Sequence, residues 1–435
     1  MSHTLIHEYV SLSQHNESPD LFYLWALLGM TGQLTGRRTS IQFGNTKLYG
    51  NMYVMLIGDS GVRKSTAINE AIRLLHSVDS DVITLGNKVS SAQALMYNLA
   101  KPKQMIATKA KKAPLELEDF LPDTPLGADL PTNGYIAVGE LADFFGGGVG
   151  DYIGILGELW DIVGNYTYPT RHEGTLVIRD PHVGMIGGIT PSTFNTMFPI
   201  EVSEQGFLSR LLVVTSEKPD RKFSIPETAS AEKLYSIEKQ LTLIHDLGRD
   251  SAKVIKFSEE VYQAQDEIYK NWNMRLHARL QAYPNRRHTQ LLKLIMNVAA
   301  TRGSVYPTKD DVVFANTLLT YTELRMNRAF GQFGSDKLSP VANTVVDLIK
   351  KSKVPVTREA LFKYVKNDIK LQDLRTVLDS LLKSDTIMLL PQQGFVPVPQ
   401  RHEDSSYSQV HVDWGVMETL SPEIKASVEL MKSVK

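Results

Sequence analysis

The sequence predicts an α/β protein: a parallel sheet with flanking helices, then an all-helical segment, then a C-terminal winged helix. Three observations predict it. Residues Asn51–Thr66, NMYVMLIGDSGVRKST, run from a short apolar strand into a glycine-bearing turn and a helix start. Two further apolar runs, Gly134–Val138 and His182–Ile189, each stop at a polar residue, Glu140 and Thr190 respectively. Beyond Pro226 the pattern turns to long helical periods, and past Ser339 to three short helical segments and a β-pair.

Composition sets the outer limits. The 435 residues suffice for two to four domains, and 47 basic against 48 acidic residues leave a net charge of −1, so any nucleic-acid surface must be a local patch. There is no cysteine, which removes disulfides, thiolate chemistry and cysteine-based zinc sites and fits a reducing cytoplasm. Any metal should then be Mg²⁺ held by oxygen. Leu21–Met30 is too short to span a bilayer and lacks the basic start of a signal peptide, so a soluble, untargeted chain without a membrane partner is expected.

In chain order, Ser18–Gly36 reads as a helix packed on the core, capped by Ser18 with Pro19 at its first position. Thr39–Phe43 reads as an added strand. Tyr53–Ile57 is a β-rich run, Gly58 and Gly61 free the turn that follows, and Ile68, Ile72, Leu74 and Leu75 give Ala67–His76 a helical period. A strand, a glycine turn and a helix opened by Lys and Ser can wrap backbone N–H groups around a nucleotide's phosphates. The expected ATP cradle is therefore Gly58, Asp59, Ser60, Gly61, Val62, Arg63, Lys64, Ser65 and Thr66. Lys64 would reach the β- and γ-phosphates and the Ser65 hydroxyl would bind Mg²⁺. Arg63 stands where a second glycine is usual.

Val82–Ile83 reads as another strand, and Lys101–Leu130, with its lysines, acids and prolines, as an exposed insertion. Glu140, at a strand end beside the phosphate loop and just before a helix near Leu141, is the expected water-orienting acid. The position before it is Gly139 rather than Asp, leaving Asp143 or Asp59 as acids that could help hold Mg²⁺. A glycine tract, Gly146–Gly150, leads into an amphipathic helix to Trp160. Tyr166–Arg179 then reads as a hairpin whose tip carries Arg171 and His172, candidate DNA contacts. Thr190, at the tip of a central strand, is placed to sense a γ-phosphate. Arg210, where a helix end meets the strand Leu211–Val214, is the candidate arginine finger, supplied to a neighbouring copy.

Ala231–Leu247, Ser258–Gln281, Thr289–Ala300 and Lys309–Phe330 are expected helices, with Tyr262, Tyr269 and Trp272 as packing residues. Ser339–Ser352, Thr357–Lys366 and Lys370–Ser384 are expected helices, the second capped by Thr357, and Ile387–Val398 a two-strand wing about Gly394. Three short helices and a wing make a winged helix, whose third helix often enters the major groove. Lys370 and Arg375 on that helix, within a lysine-rich stretch, are the candidate phosphate contacts. His402–Lys435 should end in a short helix after a polar linker.

In order, these pieces resemble a known family. Gly58-Asp-Ser-Gly-Val-Arg-Lys-Ser65 is similar to the Gly-Asp-Pro-Gly-x-Ala-Lys-Ser loop of the minichromosome-maintenance branch of AAA+ helicases. Leu208-Ser-Arg-Leu-Leu-Val-Val214 resembles that family's Leu-Ser-Arg-Phe-Asp-Leu-Ile, where the arginine is the finger acting in trans. The hairpin falls where the family keeps its pore hairpin, and Arg286 and Arg287, ahead of a helix opening His-Thr-Gln-Leu-Leu, where it keeps a second sensor arginine that contacts nucleotide, a role the resemblance gives to Arg286 first. The chain also looks like helicase-type ATPases of bacteriophages and prophages. It departs at Gly139, for the usual aspartate, and at Thr190, for the usual sensor asparagine.

The resemblance implies five segments: an N-terminal helical extension (1–46), an AAA+ P-loop core (47–225), an all-helical lid (226–335), a winged helix (336–400) and a C-terminal tail (401–435). It implies an ATP- and Mg²⁺-dependent DNA helicase of the phage replicative type, working as a homo-oligomer, most simply a hexamer, in the cytoplasm (the host's if viral). Other replication proteins are possible partners. Two other readings fit the same residues: an ATP-dependent replication initiator or helicase loader, and an AAA+ protein remodeller whose winged helix docks proteins.

Overall fold

The computed structural model describes residues 3–86, 88–89, 91–100, 131–146, 149–170, 174–198, 206–249, 251–274, 276–330, 339–352, 354–366, 369–383, 387–390, 393–397 and 407–433. Arg171 and His172, and the whole of the Lys101–Leu130 segment, lie outside them.

The chain opens with α1 (Thr4–Val10) and α2 (Asp20–Thr35). Every residue of α2 is buried, because LFYLWALLGMTGQL presents apolar or small side chains all round and so makes a core helix rather than an amphipathic one. Ser18 does not cap it. The N-cap is Pro19, the Asp20 carboxylate sits in the first turn where the helix dipole favours it, and the Ser18 hydroxyl donates instead to the carbonyl of Arg63.

Then come β1 (Thr39–Phe43), β2 (Thr46–Leu48), β3 (Tyr53–Ile57), α3 (Lys64–Ser77), β4 (Ile83–Leu85), α4 (Ala92–Ala100), β5 (Asn133–Val138), α5 (Leu141–Phe145) and α6 (Gly150–Asp161). The hairpin β6 (Tyr166–Pro169) and β7 (Thr175–Ile178) precedes β8 (His182–Ile189), α7 (Pro191–Met197) and β9 (Leu211–Thr215). Five of these strands form an all-parallel sheet in the order β4-β5-β8-β3-β9. Parallel neighbours need crossovers, and helices cover both faces; hence β3, β5, β8 and β9 are buried at every residue and read as unbroken apolar runs.

The segment after β9 contains α8 (Ala231–Asp246), β10 (Lys253–Ile255), α9 (Glu259–Asn271), α10 (Pro284–Thr301) and α11 (Lys309–Met326). It is not all-helical: β10 pairs in parallel with β1, which pairs antiparallel with β2, so the expected added strand belongs to a separate three-stranded sheet. The helix expected over Ser258–Gln281 stops at Asn271. Trp272 turns to extended backbone, its indole donates to Glu323 at 3.2 Å and Arg287 stacks over it, so tertiary contacts end the helix early. Tyr262 and Tyr269 are 55% and 63% exposed, contrary to the packing role expected of them. The helical period of α9 buries Val261, Ala264, Gln265 and Ile268 instead.

Helices α12 (Ser339–Lys351), α13 (Arg358–Val365) and α14 (Leu371–Lys383) with the antiparallel pair β11 (Ile387–Leu390) and β12 (Gly394–Pro397) close on a core of their own, including Val345, Leu361, Leu378 and Phe395. Thr357 caps α13. The chain's last helices, α15 (Trp414–Glu418) and α16 (Pro422–Ser433), return to the main core through Met417, Ile424 and Val428 rather than trailing as a tail. Arg221 ties this end to the beginning, pairing with Asp20 at 2.8 Å and Glu423 at 3.0 Å. Among the described residues that main core is continuous from α1 through the sheet and α8–α11.

Candidate functional site: two ends of one sheet

β3 delivers its chain into the turn 58–63, and α3 begins at Lys64. The residue before the lysine needs a left-handed backbone: Arg63 has φ +59°, which explains why glycine is the usual choice and implies local strain here. The N-terminal arm braces it. Ser18 holds the Arg63 carbonyl at 3.0 Å, and Glu17 pairs with the Arg63 guanidinium at 3.6 Å and with Lys218 at 2.8 Å. The Lys64 ammonium folds back over the turn, donating to the carbonyls of Gly58 (2.7 Å) and Asp59 (3.1 Å). Asp59, Ser60 and Gly61 are exposed at the turn's crest and Val62 is buried beneath it.

The tips of β3, β8 and β5 lie side by side, with Ile57 opposite Ile189 and Val138 opposite Gly187. Lys64, Thr190 and Glu140 thus share the carboxyl edge of the sheet, where open α/β sheets bind ligands. Burial raises the Glu140 carboxyl above its ordinary range while Lys64 pulls it down; burial lowers Lys64, and Glu140 and Asp59 oppose that. The two groups therefore feel each other. Thr190 acts as the N-cap of α7, its hydroxyl accepting from the Thr193 amide at 3.3 Å and contacting the Thr193 hydroxyl at 2.8 Å, so it is already committed to local structure.

Gly139 explains the missing aspartate in steric terms. A Cβ there would lie 2.9 Å from the Ser65 Cβ, and one on Gly188 would lie 2.3 Å from the Gly139 carbonyl oxygen. Three backbones converge closer than side chains permit. The metal question follows from this: Ser65 is exposed at the helix start, Asp143 and Asp59 are exposed, and no cluster of three or more metal-ligating side chains occurs among the described residues. That donor set fits a Mg²⁺ held by one hydroxyl, water and a nucleotide's own phosphates, as Mg²⁺ commonly is.

Beside the loop, Arg63 and Thr66 line a cleft of about 560 Å³ whose other walls include Leu12, Tyr23, Phe223 and Leu234. A cleft of that volume suits a small-molecule group the size of a nucleoside. Sequence reasoning missed it, because its walls come from three segments with no shared motif.

Arg210 and Arg286 stand at the opposite, amino edge. Parallel register sets Tyr53 against Leu211 and Ile57 against Thr215, so Arg210, before Leu211, and Lys64, beyond Ile57, are separated by more than about 13 Å of strand. Arg210 donates to Asp161 (3.2 Å) and to the Gly206 carbonyl (3.0 Å); Arg286 pairs with the same Asp161 oxygen at 2.8 Å. Arg210 is therefore paired within its own chain rather than free, and Arg286 does not reach its own chain's 58–63 turn. Arg287 is a structural residue, buried against Glu323 and Asn316.

Behind this cluster, buried Lys293 donates to both oxygens of Asn51 and to the Trp160 carbonyl, with its ammonium 3.6 Å from the centre of the Trp160 ring. Burial draws Lys293 down to about 7, against the pull of Asp161. Asp161, Trp160 and Lys293 carried no signal in the sequence. On α14, Leu374, Val377, Leu378 and Leu381 face the core, which leaves Arg375 exposed on the outer face, with Lys370 exposed just before the first turn.

No protein-family model and no curated protein matches the chain. Among the described residues, no helix is long and apolar enough to cross a membrane.

Proposed function

We propose that this chain is an ATP-hydrolysing, ring-forming DNA motor built on an AAA+ core, of the phage replicative helicase type. One observation carries the reading: the phosphate loop and the arginine pair occupy opposite edges of one sheet. Arginines that far from Lys64 are of use to a nucleotide only when a second copy brings its own loop to them, and head-to-tail repetition of that contact closes a ring. Lys64 and Ser65 with Mg²⁺ would hold the ATP phosphates, and Glu140, its carboxyl raised by burial, would orient the attacking water. Arg210 of the adjacent copy would stabilise charge on the terminal phosphate. The three-helix unit with its β-pair, read as a winged helix, would offer Lys370 and Arg375 to DNA phosphates.

The test mixes two dead variants. Lys64→Ala and Arg210→Ala should each lack turnover alone, Arg210→Ala still binding ATP, and mixed assemblies should recover part of it where an intact pocket meets an intact arginine. No recovery in a mixture shown to co-assemble defeats the reading. A second reading, an ATP-dependent initiator or loader, draws support from Gly139, whose packing excludes a second metal-directed acid and favours slow turnover. Displacement of a strand from a forked duplex separates the two, since a loader displaces none.

A further inference from the structure

The arginine pair is assembled by a residue from a third segment. Arg210 comes from the turn before β9 and Arg286 from the first turn of α10; both pair with one oxygen of Asp161, the last residue of α6. Trp160, buried beside it, lies under both guanidiniums at 5.8 and 5.7 Å from its ring centre. Gln290, one helical turn beyond Arg286, donates to the Arg210 carbonyl at 2.8 Å, which ties the two arginine-bearing segments to each other. Two guanidiniums this close repel, and one shared carboxylate on a flat aromatic floor is what holds them together.

The cluster remains cationic. Asp161 offsets only one of the two arginine charges, which leaves the pair with net positive charge. Each guanidinium also has N–H groups to spare: Nη1 and Nη2 of Arg210 each spend one of two N–H groups, on Gly206 and Asp161, and Arg286 is paired only through Nη1 among the described residues. The carboxylate thus fixes the arginines without using up their donors.

We propose that Asp161 is a positioning residue that aligns Arg210 and Arg286 as a single two-pronged donor for the terminal phosphate bound at the adjacent copy's Lys64. This rests on the ring reading above and adds to it that the two arginines act as a unit, set by a residue that never touches the nucleotide. A preorganised pair stabilises charge developing on a phosphoryl group better than two mobile side chains, because no reorganisation is needed as the reaction proceeds.

The experiment is steady-state ATPase kinetics of Asp161→Asn, alone and in mixed assemblies. Asp161→Asn should lower kcat tenfold or more while KM and ATP affinity stay within about twofold of the parent, because its own phosphate loop is untouched. The unchanged affinity also reports that the variant folds. Asp161→Glu, which keeps the charge, should stay within a few-fold of parental kcat. Mixed with Lys64→Ala, Asp161→Asn should regain activity; mixed with Arg210→Ala it should not, since both lesions lie on the arginine-donating side. If Lys64→Ala and Arg210→Ala complement each other but Asp161→Asn keeps parental kcat, or fails to complement Lys64→Ala, the role of Asp161 is wrong and the ring reading stands. If Lys64→Ala and Arg210→Ala do not complement, the ring reading fails and takes this role with it.

Discussion

Gly139→Ala tests the packing beside the start of α3, the proposed phosphate site, with a single methyl group. The added Cβ would sit 2.9 Å from the Ser65 Cβ, whereas carbon atoms rest at about 3.5–4.0 Å, so an overlap of roughly 0.6–1 Å must be relieved by moving the start of α3 or the end of β5. Overpacking of this kind costs about 1–3 kcal/mol. For a core of this size each kcal/mol lowers the melting midpoint by about 1–2 °C. Because the displaced residue is Ser65, ATP affinity in Mg²⁺ should fall with stability. Gly154→Ala is the matched control: Gly154 is exposed inside α6, nothing lies within 4 Å of its would-be Cβ, and alanine there should stabilise by roughly 0.5–1 kcal/mol. Scanning calorimetry with and without ATP reads both. Gly139→Asp should bring no gain in turnover, since the acid has nowhere to go. A Gly139→Ala protein with parental midpoint and parental ATP affinity would refute the steric account.

Three further outcomes are expected. Glu140→Gln should retain ATP binding and lose turnover by two or more powers of ten, checked by nucleotide titration beside single-turnover hydrolysis; parental turnover would remove Glu140 from the chemistry. Lys293 is held near 7 by burial, well below an unfolded lysine's value of about 10.4. Between those values the unfolded chain binds a proton that the native chain does not, so the lysine's burial penalty is full below about pH 7 and shrinks as pH rises, by up to about 1.4 kcal/mol per pH unit. Urea midpoints of Lys293→Met and parent should accordingly converge or cross between pH 7 and 9.5, and parallel curves would reject that titration. Lys370→Glu with Arg375→Glu should weaken DNA binding and shallow its salt dependence by about two phosphate contacts; an unchanged slope would turn the outer face of α14 toward a protein partner instead.

Local chemistry made much of this molecule legible in its sequence. The β3–turn–α3 unit follows from an apolar run, two glycines and a helical period within 26 residues, and Thr357 marks the start of α13 by the same short-range logic. What the tertiary structure decided is non-local. Ser18 prefers the Arg63 carbonyl to its own helix, Trp272 ends α9 to reach Glu323, and β10 leaves a helical segment to pair with β1. Asp161 gathers two arginines 49 and 125 positions further along the chain. Periodicity and turn chemistry record only which residues lie within a few positions of each other. Which carboxylate meets which guanidinium depends on how the sheet register and helix packing bring distant segments together, and that free energy is spread over the whole core rather than written in any one stretch.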